Sequence, residues 1–117
     1  MSASTLNLPV IEKGATYRHT LTWTDAIGAA INLTGCTAKL QVRTSITSST
    51  VVLELSSVNN RIIITPLTGV IELYISATDT MALSGTGGVY DLEIYFSNGD
   101  ITRLIEGSVV FKNEVTR

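Results

Sequence analysis

One residue in three of this chain is isoleucine, valine or threonine, 39 of 117 positions, and that excess constrains the fold more than any other feature. A side chain branched at Cβ has few rotamers open to it in a helix and packs well on a pleated surface, so an all-β fold is expected. A chain of this length supplies one ordinary core, and residues 1–117 read as a single domain. The mean hydropathy of +0.32 raises the question of a membrane, yet no run approaches the roughly 18 apolar residues of a spanning helix. The expectation is a soluble domain whose apolar side chains lie on strand faces.

Alternation along the chain locates those faces. Leu6, Leu8 and Val10 alternate with Asn7 and Pro9, and the proline restricts this segment to a sheet edge or a strand start, so residues 1–12 form a candidate edge-strand arm. From residue 15 to 24, Tyr17, His19, Leu21 and Trp23 take one parity, and Thr16, Arg18, Thr20, Thr22 and Thr24 the other. Turns follow at Asp25–Gly28 and Asn32–Gly35. Cys36, Ala38, Leu40 and Val42 then alternate with Thr37, Lys39, Gln41 and Arg43, which gives that strand a basic outer face. Further strands are predicted through Val51–Leu55, Arg61–Thr65 and Ile71–Ile75.

Ser76-Ala77-Thr78-Asp79 has the form of a helix N-cap, and the glycines at 85, 87 and 88 limit the helix to one or two turns. Tyr90, Leu92, Ile94 and Phe96 alternate with Asp91, Glu93 and Tyr95, and Asn98-Gly99 is a strong hairpin signal. In the return strand, Ile105, Gly107, Val109 and Phe111 keep one parity while Leu104 and Val110 hold the other, which predicts a bulge or burial on both sides. Residues 113–117 read as a polar tail. Strands at this spacing predict an antiparallel immunoglobulin-like β-sandwich of about 7–9 strands with one short helical turn.

The chemistry on offer is sparse. His19 is the only histidine and has inward parity; Cys36 is the only cysteine and opens a strand face, where a small packed thiol is the ordinary reading. A lone cysteine excludes an internal disulfide and a multi-cysteine zinc site. Gly85-Thr86-Gly87-Gly88 lacks the lysine of a phosphate loop and reads as a connection. Asp91 and Glu93 share a strand face, as paired carboxylates of a catalytic or metal site would, though a solvated face is the simpler account. No catalytic residue, cofactor or metal is assigned, and the chain is not expected to be an enzyme. Eight basic residues scattered among ten acidic ones give no stripe for phosphates, so neither nucleic acid nor membrane is an expected partner.

The ordered motifs resemble a known family. Lys13-Gly14 precedes a strand ending in Leu21-Thr22-Trp23; Gly28 is followed by Ile31-Asn32-Leu33-Thr34-Gly35 and then Gln41-Val42-Arg43. Thr68-Gly69-Val70-Ile71, Ser76-Ala77-Thr78-Asp79-Thr80, Val89-Tyr90-Asp91-Leu92-Glu93, Gly107 and Val115-Thr116-Arg117 continue the series. In this order they are similar to the amino-terminal domain of siphophage baseplate upper proteins, small bacteriophage virion modules in which an aspartate usually replaces Asn32. The resemblance implies a non-enzymatic structural protein, made in the bacterial host cytoplasm and assembled into the virion. It would act as an adaptor of the tail, baseplate or collar, oligomerising and attaching fibres or neighbouring subunits. Relatives commonly continue past this module; a chain stopping at Arg117 is expected to be an adaptor or decoration subunit rather than a receptor-binding head. Capsid decoration, and a receptor- or carbohydrate-binding module presenting Tyr74 and Tyr95, are the alternatives. The expected partners are other virion proteins and further copies of the chain. The expected interface comprises the arm residues Leu6, Leu8 and Val10, then Arg18, the basic Lys39 and Arg43, and the acidic Asp91 and Glu93.

Overall fold

The computed structural model describes residues 4–113; Met1, Ser2, Ala3 and residues 114–117, which hold most of the polar tail and the Val115-Thr116-Arg117 end of the motif series, lie outside the described residues. Among the described residues nine strands form: β1 Ser4–Thr5, β2 Ile11–Glu12, β3 Tyr17–Thr22, β4 Thr37–Arg43, β5 Val51–Ser56, β6 Ile62–Thr65, β7 Val70–Ile75, β8 Gly87–Tyr95 and β9 Ile101–Lys112. One helix, α1 Ala77–Met81, joins β7 to β8, and a 3-10 turn spans Pro66–Thr68. The larger sheet has the order β1-β9-β8-β4-β5, with β2 also on β9; the smaller has the order β3-β7-β6.

This is an immunoglobulin-like β-sandwich. The orders β3-β7-β6 and β9-β8-β4-β5 match strands B-E-D and G-F-C-C′ of the variable-type arrangement, with the amino-terminal segment laid on the last strand. No cysteine pair joins the sheets, since Cys36 stands alone. Apolar side chains at alternate positions do that work instead. Leu40, Val42, Leu73, Ile75, Leu92 and Ile94 are all at 1% exposure or less within one core cluster. Each such side chain contributes about 1.5–3 kcal/mol by leaving water.

The expected parities hold in β3, β4, β7 and β8, and the short helix is where its cap predicts: Ser76 Oγ accepts from the Asp79 N–H at 3.2 Å. The Asn98–Gly99 hairpin closes with Phe96 N–H on Asp100 O at 2.8 Å, and Gly99 takes φ 96°, a conformation that costs a side-chain-bearing residue energy. The bulge predicted for the return strand occurs. Leu92 stands opposite Ile105 but Glu93 opposite Arg103, so Leu104 is the extra residue.

Two expectations are corrected. The antiparallel sandwich includes parallel pairs, because β1 and β2 both run parallel to β9. Residues 6–10 do not form the strand read from Leu6, Leu8 and Val10. The Leu6 and Leu8 amides still reach β9, bonding to Glu106 O at 2.8 Å and Ser108 O at 3.0 Å, but within residues 6–10 the ladder goes no further. The Asn32–Gly35 turn forms as expected, with Cys36 N–H on Leu33 O at 3.0 Å, and Leu33 within it is fully buried, its N–H bonded to Pro66 O at 2.9 Å.

Thr80 fastens the helix to the chain entering β3. Its buried Oγ1 accepts from Gly14 N–H at 3.0 Å and lies 2.9 Å from Ala15 O and 3.0 Å from Ala77 O, carbonyls that share its single proton. Thr80→Val keeps the shape and removes the hydroxyl, leaving the half-buried Gly14 amide without its partner. We expect a loss of about 1–3 kcal/mol in chemical denaturation. A change within error would show the hydroxyl to be dispensable.

Candidate functional site

Cross-strand register gathers the polar side chains of the larger sheet onto its outer face. Lys39 stands opposite Glu93, Gln41 opposite Asp91 and Arg43 opposite Val89. On the far side of β8, Asp91 faces Glu106 and Glu93 faces Arg103. Side chains alternate across a strand, so every second residue of β4, β8 and β9 contributes to this face. Part of it is concave. A groove of about 550 Å³ is lined by Arg43, Asp91, Glu93, Arg103 and Glu106, with Asn7 and Ser108 at one side and Ile46 and Val89 as apolar lining.

The groove's polar groups hold one another in place. The two Arg43 nitrogens Nη1 and Nη2 donate to Ser48 O and Gln41 Oε1, each at 2.9 Å. Gln41 Nε2 then donates to Glu54 Oε1 at 2.7 Å, forming a chain across β4 and β5. Arg103 Nε lies 3.3 Å from Asp91 Oδ2, and Tyr95 Oη donates to Glu93 Oε1 at 2.9 Å. A guanidinium ordered by planar bonds needs to lose little freedom on meeting a partner.

Burial pushes the Asp91 carboxyl above its ordinary range, and Glu93 and then Glu106 reinforce that, against the lowering effect of Arg103 and Arg43. A raised folded pKa means that the native protein takes up this proton before the unfolded chain does. Asp91 therefore disfavours folding once pH has risen through the folded pKa, and ceases to do so below the unfolded one. Asp91→Asn is expected to raise the melting temperature at pH 7, with the advantage shrinking as pH is lowered towards 3; melts at several pH values would show it. An advantage independent of pH would contradict this assignment.

Tyr90 of the larger sheet and Tyr17 of the smaller one serve the fold. Tyr90 stands opposite Gly107, and its hydroxyl reaches past that residue to Leu6 O at 2.5 Å. Burial pushes Tyr17 and Tyr90 up to about 12, Tyr90 also through Tyr17; Tyr95 rises to about 12 through burial and its bond to Glu93.

The sequence-predicted residues divide into three groups. Lys39, Arg43, Asp91 and Glu93 come together on one face. β4 pairs with β8, so these opposite charges are neighbours within a single surface. Arg18 is on the smaller sheet, over the Tyr74 ring at 4.6 Å and 3.8 Å from Glu72 Oε2. Leu6 and Val10 are partly exposed, but Leu8 is buried against its own domain, so the arm occupies the β9 edge instead of offering it to another chain. Tyr74 and Tyr95 are on different sheets and share no platform.

Sequence reasoning missed Arg103, Glu106, Asn7, Ser108 and Ile46. Counting outward from a two-residue Asn98–Gly99 turn would have placed Arg103 opposite Ile94; the three-residue connection 97–99 brings it opposite Glu93 instead. His19 lies away from the groove in β3, opposite Leu73. Cys36 packs against the core, and burial pushes its thiol up, away from the reactive thiolate. Gly85 and Thr86 form the connection expected of them, whereas Gly87 and Gly88 begin β8. Among the described residues, no three His, Cys, Asp or Glu side chains are grouped to hold a metal, and no helix is long and apolar enough to cross a membrane.

No protein-family model matches the chain, and a search of characterised proteins finds no match. Among solved structures, the chain is similar to the first immunoglobulin-like domain of human CD48 antigen, at 13% identity over 98% of this chain and 86% of that one, with a TM-score of 0.36.

Proposed function

We propose that the chain is a non-enzymatic structural module of a bacteriophage virion, an adaptor of the tail, baseplate or collar that self-associates and attaches fibres or neighbouring subunits. The ordered motif series supports the virion assignment. The observation that carries the assembly role is the outer face of the larger sheet, where charges of both signs are held by neighbouring groups and an apolar end is formed by Ile46, Val89 and Val110. Pre-ordered polar groups beside exposed apolar side chains favour recognition of another protein surface. The partners are then other virion proteins and further copies, with no role for cofactor, metal, nucleic acid or membrane.

The reading is tested in particles. Phage from which the gene has been deleted should assemble without its fibres or neighbouring subunits, and the supplied chain should restore infectivity and be recovered in purified virions by mass spectrometry. Restored infectivity with the chain absent from particles would place its action before assembly. Recovery at capsid stoichiometry would favour decoration of the head, and glycan binding by the isolated chain would favour the receptor-binding alternative.

A further inference from the structure

The charges on the larger sheet's outer face lie in rows. The outward positions of β4 carry Lys39, Gln41 and Arg43; those of β8 at the same levels carry Glu93, Asp91 and Val89. A basic row thus runs beside an acidic one. Lys39 is exposed and makes no ion pair among the described residues, although Glu93 is its cross-strand neighbour. This leaves a cation at the face whose opposite charge remains to be supplied.

Two adjacent rows of opposite sign are complementary to themselves under a two-fold rotation. An axis lying along the strands between β4 and β8 carries each copy's β4 over the other's β8 without changing level. Lys39 then meets the second copy's Glu93, and the rotation repeats the pair. Asp91 is carried over Gln41, one side-chain step from Arg43, and Val89 over the stem of Arg43. An isologous contact doubles every favourable pair in this way, and Ile46, Val89 and Val110 supply apolar surface at one end of the face.

The geometry points to a two-fold pairing of this chain with a second copy through the outer face of its larger sheet, with Lys39 and Glu93 as reciprocal partners. This deepens the assembly reading, on which it rests, by naming the surface through which copies meet.

Charge exchange tests it with the full chain. The wild type should sediment as a dimer whose dissociation constant rises with salt. Lys39→Glu and Glu93→Lys should each weaken it by about tenfold or more, since like charges then face one another across the axis. Mixing the two single variants should restore a dimer tighter than either forms alone, and the double variant should recover the wild-type mass. Thermal melts of each variant identify losses due to unfolding, which mixing would not reverse. A dimer indifferent to all three variants overturns the pairing but leaves self-association in place. A wild-type monomer at millimolar concentration overturns the pairing too, while recovery of the chain in virions would still uphold the assembly reading.

Discussion

Leu92→Ala is expected to lower the unfolding free energy by about 3–5 kcal/mol, as removal of a large side chain from a rigid site does. Leu92 is fully buried in β8, opposite Leu40 on β4 and Ile105 on β9, so its side chain lies in the middle of the larger sheet's inner face. Hydrogen-bonded strands on both sides limit how far neighbours collapse into the space, and the cavity persists. Domains of this size have about 5–15 kcal/mol in total, so the variant approaches the unfolding threshold at physiological temperature. Urea titration followed by fluorescence of Trp23, the only tryptophan, reads the loss directly. A loss under about 1 kcal/mol would mean that the two sheets repack around the gap.

Gly107→Val is expected to cost about 3 kcal/mol and, unlike the core truncation, to act by detaching one segment. A Cβ on Gly107 would run into Leu6 O and come within 3.1 Å of Asn7 Oδ1, too close for either to stay. Losing the arm breaks the Leu6 and Leu8 amide bonds to β9, the Tyr90 hydroxyl bond to Leu6 O and the Asn7 bonds to Ser108, and it exposes Leu8. It also uncovers the edge of β9, and a long unpaired edge promotes association in sheets. Hydrogen exchange should show the Leu6 and Leu8 amides losing protection while those of β4 and β7 keep theirs. Unchanged protection at Leu6 and Leu8 would show that the arm accommodates the side chain.

Side-chain period was enough to find β3, β4, β7 and β8, because each has one face in the core and one in water. The Asn98–Gly99 turn and the Ser76 cap were equally readable, since each depends on residues close in sequence. Partner choice was not. Nothing in the alternation of Tyr17 to Trp23 says that β3 pairs with β7, some fifty residues on, and the parallel placement of the arm on β9 depends on which edge the rest of the domain leaves open. The same limit affected the candidate site. Lys39, Arg43, Asp91 and Glu93 were each identifiable as outward-facing polar residues, but only the pairing of β4 with β8 makes them one surface. Arg18, alike in sequence terms, falls on the other sheet. Leu33 was hidden because a buried turn has no period to betray it.

Whether the chain is present in an intact particle, and where, bears most directly on the proposed assembly role. A cryo-EM reconstruction of the virion, taken with the mass of the purified chain, is predicted to show repeated sandwich-shaped densities at the tail, baseplate or collar, symmetrically arranged, with the outer face of the larger sheet against protein. A chain that is monomeric in solution and has no density anywhere in the particle would contradict it.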